Sequence, residues 1–347
     1  MSQGSHPIFC QAFLKLREKL RTPCLLLMKF KSLSHSFLFV SISIFSVFSF
    51  VVPVGAQVFD DEPEQSLRRH WSVVLETSLI FDDNVFLEKA TKQSDQVVQS
   101  GLVLGYERGD IFFSALAVID RYRENKILDY SYYEIGMETP LDSDRTTGSI
   151  FLNFSPTAPL DTAEAGETFE LSSRGLNVFL DHEMSWGSLG FSFAFSQLDY
   201  SRIFDAKDSK ITALGPTFFY LLNEIWTLSG DATFERSRAV GGLIGRRPDD
   251  ISYRATNLSL QTRYYFSQVL NFRFRYYLRN KNFTTEVDDI HAGRRDITQI
   301  IGLYSEIRPS SDFIFRVGFE ETWLISENNP AVEFKARRWL FSAAYSF

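Results

Sequence analysis

The sequence predicts an all-β protein, a transmembrane antiparallel up-and-down β-barrel of about 14 strands. The chain has 34 Phe, 14 Tyr and 5 Trp, yet its mean hydropathy is only -0.11. Apolar and polar residues alternate over segments of about ten residues, which is typical of strands with two different faces. The connections between these segments alternate between short and long, as in transmembrane barrels.

The N-terminus carries the pattern of a secretory signal peptide over residues 1–56. Lys29 and Lys31 are followed by an apolar and hydroxylic run over 37–52, and a small-residue cleavage site ends at Ala56. Met28 is a candidate for the true start; a cytoplasmic extension over 1–27 is the alternative. A single membrane anchor is the competing interpretation of the apolar run. We assign 57–70 to a periplasmic N-terminal segment and 71–347 to the barrel.

Removal of the leader changes the charge and the cysteine content. Residues 1–56 hold six of the 36 Lys and Arg residues and one of the 43 Asp and Glu residues, so the mature chain has a formal charge of -12. Cys10 and Cys24 both lie in the leader, which excludes a disulfide, a thiol nucleophile and a thiolate metal site in the mature protein. The negative charge argues against nucleic acid as a partner.

The predicted strands follow the period-two pattern in order along the chain. In the segment 188–200, Leu189, Phe191 and Phe193 share one face while glycine, serine and alanine occupy the other. The predicted segments are 71–81, 97–107, 111–123, 131–141, 146–156, 169–183, 188–200, 210–222, 226–238, 252–266, 269–280, 294–307, 313–326 and 332–347. The patterns near 131–156 and 294–307 are the least regular, so twelve strands is the alternative count. An even count places both termini on the short-turn, periplasmic rim.

The tryptophans favour a membrane barrel over a soluble β-sandwich or propeller. Trp71, Trp186 and Trp226 fall at the short-turn ends of predicted strands, and Trp323 falls towards the opposite end. Aromatic residues collect at membrane interfaces in this way.

The last strand, "ARRWLFSAAYSF", resembles the C-terminal signature of bacterial outer-membrane β-barrels. Trp339, Phe341, Tyr345 and Phe347 form its aromatic comb, with Ala343 between them. The resemblance implies an assembly signal that the barrel-assembly machinery reads, and an outer membrane with lipopolysaccharide around the barrel.

The segment "LIFDDNVF", residues 79–86, is similar to a segment of the beta-barrel porin type 2 family. Several members of that family accompany exopolysaccharide systems. The resemblance implies a porin-like protein with polysaccharide export components as partners.

The inward-facing residues provide the candidate pore lining. The last five strands contribute arginines, and the first nine contribute acids. The pore-lining candidates are Arg263, Arg273, Arg275, Arg279, Arg316, Arg338, Glu76, Glu134, Asp231 and Glu235, with Glu107 and Glu138 in the same acidic set. A basic wall opposite an acidic wall would select charged solutes, here anions or sugar acids. The alternative is that these charges pair into a polar plug.

The enzyme interpretations have less support. Three acidic pairs fall in long loops, namely Asp82-Asp83, Asp249-Asp250 and Asp288-Asp289, the last followed by His291. An omptin-like protease would use such acids with a histidine to activate water, and a lipase would need a serine–histidine couple. His70 and His182 are poorly placed for the latter. We therefore expect no catalytic residue, metal or cofactor, and predict a porin-like channel for polar or anionic solutes, linked to exopolysaccharide export; the alternative is a surface enzyme or a non-conducting structural barrel.

Overall fold

The computed structural model describes residues 4–6, 39–41, 70–87, 92–161, 168–244, 247–286 and 291–347. The predicted signal peptide and the segment 57–70 lie almost wholly outside these residues; within them, Gly4–His6 pairs with Phe39–Ser41. No helix among the described residues is long and apolar enough to cross a membrane.

Fourteen antiparallel strands form a closed barrel in which each strand pairs with the next along the chain. The strands are β1 His70–Asp82, β2 Asp95–Arg108, β3 Ile111–Tyr122, β4 Tyr130–Pro140, β5 Thr146–Asp161, β6 Thr168–Met184, β7 Gly187–Tyr200, β8 Ser209–Leu221, β9 Trp226–Ala239, β10 Tyr253–Tyr265, β11 Leu270–Phe283, β12 Arg295–Ile307, β13 Phe313–Glu327 and β14 Phe334–Ser346. The predicted count of 14 is confirmed, and the alternative of twelve is wrong.

Strand β14 closes the barrel against β1. The register runs from Arg338 opposite Asp82 to Ser346 opposite Val74. Beyond the last strand residue, the Phe347 amide donates to the Val73 carbonyl at 2.9 Å. Both ends of the barrel sequence therefore meet on the short-turn rim, as predicted.

The short turns and the long connections lie on opposite rims. Gly109 lies between β2 and β3 with φ +60, a left-handed conformation that glycine adopts without a steric cost. The long-loop rim carries 3₁₀ turns at Lys126–Leu128, Arg202–Lys207 and Pro330–Val332. A two-stranded ribbon, Leu243–Ile244 with Arg247–Pro248, lies in the connection from β9 to β10.

The two faces of each strand differ as the alternation predicts. On β7, Leu189 is 45% exposed and Phe191 is 44% exposed, whereas Ser188 and Ser192 are buried. Apolar side chains on the outside of a closed barrel, with polar ones inside, are the arrangement of a transmembrane barrel.

Aromatic side chains form a girdle around the outside of the short-turn rim. Trp71 packs on Tyr106 with ring centroids 4.7 Å apart, and Trp226 packs on Tyr264 at 4.6 Å. In the turn between β6 and β7, Trp186 lies 5.6 Å from Tyr220 on β8. These are the positions that the tryptophan pattern predicts.

Candidate functional site: the charged inner wall

Four buried arginines form one part of the barrel interior, which we call the arginine wall: Arg263 on β10, Arg273 and Arg275 on β11, and Arg316 on β13. Their inward orientation follows the alternation of side chains along each strand. On β11, Phe272 and Phe274 are exposed while Arg273 and Arg275 are buried. Period-two alternation therefore places the cations on the inner face.

Like charges lie side by side in the arginine wall. Arg263 and Arg273 stand directly opposite each other in the β10–β11 register. The Arg273 guanidinium lies 4.3 Å from the Tyr304 ring centroid, and that of Arg263 lies 5.8 Å from the Tyr265 ring. Two cations at opposed positions repel each other, whereas a ring face attracts each of them. Cations and aromatic rings thus lie side by side on this part of the inner wall.

Arg316 is held by two carboxylates. Its Nη1 donates to Glu76 at 3.0 Å, and its Nε donates to Glu306 at 3.1 Å. Glu306 also pairs with Arg308, in the turn after β12, at 2.8 Å. Burial lowers the pKa of Arg308, and the adjacent Glu306 carboxylate opposes that shift. This end of the arginine wall is an ion-pair network.

Arg279 belongs to a second network, closer to the long-loop rim. Its Nη2 donates to Glu235 on β9 at 2.9 Å, and the Tyr253 hydroxyl donates to the same carboxylate. Lys281 lies 4.2 Å from the Tyr253 ring centroid and 4.2 Å from that of Phe283. The faces of these two rings thus attract the Lys281 ammonium group.

Arg338 belongs to a third network, at the junction of β14 and β1, where it donates to Asp82. Nearby, Gln99 on β2 donates to Asp120 on β3 at 2.6 Å. The Arg338 contact, like that of Arg279, pairs a predicted cation with an acid on a neighbouring part of the wall.

Further acidic side chains lie on the side of the barrel opposite the arginine wall. Glu134 on β4 accepts hydrogen bonds from the Tyr132 hydroxyl at 2.7 Å and from Asn153 at 2.9 Å. Glu138, also on β4, is buried. Strand β4 is seven strands from β11 in the ring of 14, so these acids face the arginine wall across the interior.

The structure brings some predicted residues together and separates others. Asp231 on β9 lies close enough to Arg275 to interact with it electrostatically. Glu107 is exposed at the short-turn end of β2. Tyr253, Lys281, Tyr304 and Glu306 belong to the inner wall although they were not among the candidates. Their alternation with outward residues on β10, β11 and β12 is the signal that could have identified them.

The loop after β1 folds into the interior at the long-loop end. Asn84 and Val85 are both 0% exposed, and Val85 packs against Ile80, Val97 and Tyr122 from three strands. The Asn84 side chain donates to the Lys335 carbonyl at 3.0 Å. Part of the motif that resembles the porin family thus narrows the barrel entrance.

The described members of the acidic pairs have structural contacts. The Asp83 carboxylate accepts the Arg337 amide at 2.6 Å. Asp249 pairs with Lys207 at 3.3 Å, and Asp250 accepts the Ser252 amide at 2.9 Å. The pair 288–289 lies outside the described residues. His291 packs on Phe283 with ring centroids 4.7 Å apart.

His182, another candidate for catalysis, also has a contact with a neighbouring side chain. Nδ1 of His182 lies 3.0 Å from the Thr146 hydroxyl on the exposed short-turn side. Within the described ranges, no group of three or more His, Cys, Asp or Glu side chains could hold a metal ion.

The aromatic comb of the last strand faces outward. Trp339 is 51% exposed and Phe347 is 68% exposed, whereas Arg338, Ser342 and Ser346 lie on the inner side. The Tyr345 and Phe347 rings meet edge to face, with centroids 4.6 Å apart.

The solved structures that resemble this chain include several outer-membrane proteins. The outer-membrane channel DcaP of Acinetobacter baumannii has 11% identity and a TM-score of 0.48, with 80% of this chain and 97% of that chain covered. The outer-membrane protein OprD of Pseudomonas aeruginosa has 11% identity and a TM-score of 0.40, covering 80% and 94%. A bacterial polysaccharide outer-membrane secretin has 9% identity and a TM-score of 0.49, covering 80% and 98%. No protein-family model and no curated protein matches the sequence.

Proposed function

We propose that this protein is a porin-like channel of the bacterial outer membrane that passes polar or anionic solutes. The observation that carries the proposal is a closed 14-strand barrel with apolar side chains outside and charged side chains inside. In lipid, every backbone polar group needs an internal partner, and a closed barrel satisfies this requirement. A charged interior favours water and polar solutes over lipid.

The arginine wall supports a preference for anions. Arg263, Arg273 and Arg275 concentrate positive charge on β10 and β11, while Glu134 and Glu138 lie on the opposite side. A solute that passes between the walls would experience a transverse field, which attracts the anionic end of a molecule to the arginines. Transport is passive, since it depends only on lumen width and charge.

A narrower substrate class follows from the motif resemblance. The segment 79–86 is similar to a porin family with exopolysaccharide-associated members, and the arginines suit carboxylate groups on sugars. We include in the proposal the passage of an acidic polysaccharide, together with export components on the periplasmic side. The outward comb of the last strand supports delivery by the barrel-assembly machinery.

Single-channel recording in planar lipid bilayers tests the channel. Folded protein should conduct in discrete steps, and the zero-current potential in a salt gradient should report a preference for anions. Acidic oligosaccharides added to one side should interrupt the current more often than neutral ones of equal length. Folded protein that never conducts would contradict the proposal.

A non-conducting structural barrel is the second candidate. The buried Val85 at the long-loop entrance and the Arg316, Arg279 and Arg338 networks favour it, because they fill the interior with paired groups. The same recordings separate the two candidates, since the second predicts silent membranes with correctly folded protein.

A further inference from the structure

Four basic side chains lie together on the outside of the barrel, towards the long-loop rim. We call them the outer basic patch: Lys210 on β8, Arg236 and Arg238 on β9, and Arg254 on β10. All four are exposed, and they alternate with buried inward residues such as Glu235 and Ser237. The outer basic patch is therefore on the opposite side of the wall from the channel interior.

The strand register places these cations in opposed pairs. Lys210 stands directly opposite Arg238 in the β8–β9 ladder, and Arg236 stands directly opposite Arg254 in the β9–β10 ladder. Like charges at opposed positions destabilise a sheet. Among the residues that the structure describes, none of the four forms an ion pair or a side-chain hydrogen bond. An external anion would relieve this repulsion.

Three other outward arginines on the described strands of the long-loop half have protein partners. Arg295 pairs with Glu327 at 3.3 Å, and Arg337 pairs with Glu321 at 2.8 Å. Arg174 donates to Gln197 at 2.9 Å. The outer basic patch on β8, β9 and β10 therefore differs from these three arginines in having no such partner among the described residues.

The patch lies immediately beyond the apolar part of the exterior. Next to it on the same outer face, Phe234 is 58% exposed and Leu214 is 42% exposed. A strand rises about 3.3 Å per residue and tilts by about 40°, so Arg236 lies about 25 Å along the barrel axis from Trp226 in the aromatic girdle. This distance matches the height of the apolar band of a transmembrane barrel. The four cations are therefore at the level of lipid headgroups on the long-loop side.

We propose that the outer basic patch binds the phosphate groups of lipopolysaccharide in the outer leaflet. Arginine presents several donors to phosphate in a planar fork, and such charge-assisted bonds are stronger than neutral ones. A phosphate between Arg236 and Arg254 replaces repulsion with two attractive contacts. The inference rests on the outer-membrane location in the proposed function but not on conduction.

Lipid retention by the refolded protein in detergent micelles tests the inference. Native mass spectrometry would compare the binding of bisphosphorylated, monophosphorylated and dephosphorylated lipid A. The wild type should prefer the bisphosphorylated form, and the variant Lys210→Gln/Arg236→Gln/Arg238→Gln/Arg254→Gln should lose at least about tenfold in affinity. The matched control Arg295→Gln/Arg337→Gln removes two outward arginines that have protein partners and should retain binding close to that of the wild type.

The outcomes of this lipid-binding test separate the inference from its alternatives. Equal retention by the fourfold variant and the wild type would overturn the inference, as would equal loss in the control. Equal binding of dephosphorylated lipid would remove phosphate as the ligand. A folded band on an unheated gel shows that each variant is a barrel. If the wild type binds phosphorylated lipid but never conducts, the channel proposal is contradicted, whereas the lipid-binding proposal is not.

Discussion

Arg316 on β13 donates to Glu76 on β1 at 3.0 Å, across the intervening strand β14. One buried ion pair therefore spans the seam where the first and last strands close the barrel. Glu306 on β12 accepts from the same guanidinium at 3.1 Å. The pairing links residues from both ends of the chain on the inner face.

Replacing Arg316 with Met should destabilise the barrel by about 3 kcal/mol, because two buried carboxylates lose their shared cation. Urea unfolding of the refolded protein in detergent measures the loss. The control is Arg337→Met on the outside, whose pairing with Glu321 is solvent-exposed and should contribute much less to stability than the buried pair. Equal losses in the two variants would show that the seam ion pair contributes no more than a surface pair.

The double variant Arg273→Ser/Arg275→Ser should lower the preference for anions several-fold, because it removes the centre of the positive inner potential. The zero-current potential in a salt gradient measures this change. Arg236→Ser/Arg254→Ser is the matched control, since it removes two arginines from the outer face of the same region and should leave selectivity unchanged in neutral lipid. Unchanged selectivity in the inner variant would contradict a role for the arginine wall.

Asn84→Ala should loosen the loop that narrows the long-loop entrance. The variant loses the 3.0 Å hydrogen bond from the Asn84 side chain to the Lys335 carbonyl. We expect this loss to lower the free energy of unfolding by about 1 to 2 kcal/mol. We expect larger current fluctuations in single-channel recordings. Asn223→Ala is the control on the opposite rim, where the Asn223 side chain accepts the Trp226 amide at 2.8 Å. If both variants are equally noisy, the Asn84 loop does not control the entrance.

Phe347→Ser should reduce assembly in the outer membrane while leaving refolding in detergent intact. The Phe347 side chain is 68% exposed. The hydrogen bond from the backbone amide of residue 347 to the Val73 carbonyl does not depend on that side chain and survives the substitution. The folded fraction in isolated outer membranes is the measurement. Phe266→Ser, at a 65% exposed phenylalanine on the same rim, should assemble normally. Normal assembly of the Phe347 variant would remove the terminal aromatic from the assembly signal.

Period-two alternation was sufficient to predict the strands because each face meets a different environment. On β7, Leu189 and Phe191 point outward and Ser192 inward, and a shift by one residue would reverse all of them. The less regular β4 still keeps Glu134 inside and Ile135 outside. The count of 14 strands could therefore be predicted even though the patterns near 131–156 and 294–307 are irregular.

The ion-pair partners could not be predicted from the sequence. Glu235 meets Arg279 two strands away at 2.9 Å, and this offset depends on the stagger between strands, which no local pattern reveals. The inward fold of Val85 was equally inaccessible, because the apolar run Val85-Phe86-Leu87 in this loop is too short to show a period. The sequence indicated which charges face inward, but not which of them neutralise each other.

The closure of β14 on β1 has a consequence for the order of synthesis. The edge of β1 has no partner until the final strand has been made, and a chain that stops before β14 would expose hydrogen-bonding edges on both β1 and β13. A shortened product would therefore be prone to aggregation rather than be a smaller channel. In this fold, a premature stop codon anywhere upstream of Phe334 is equivalent to loss of the whole ring.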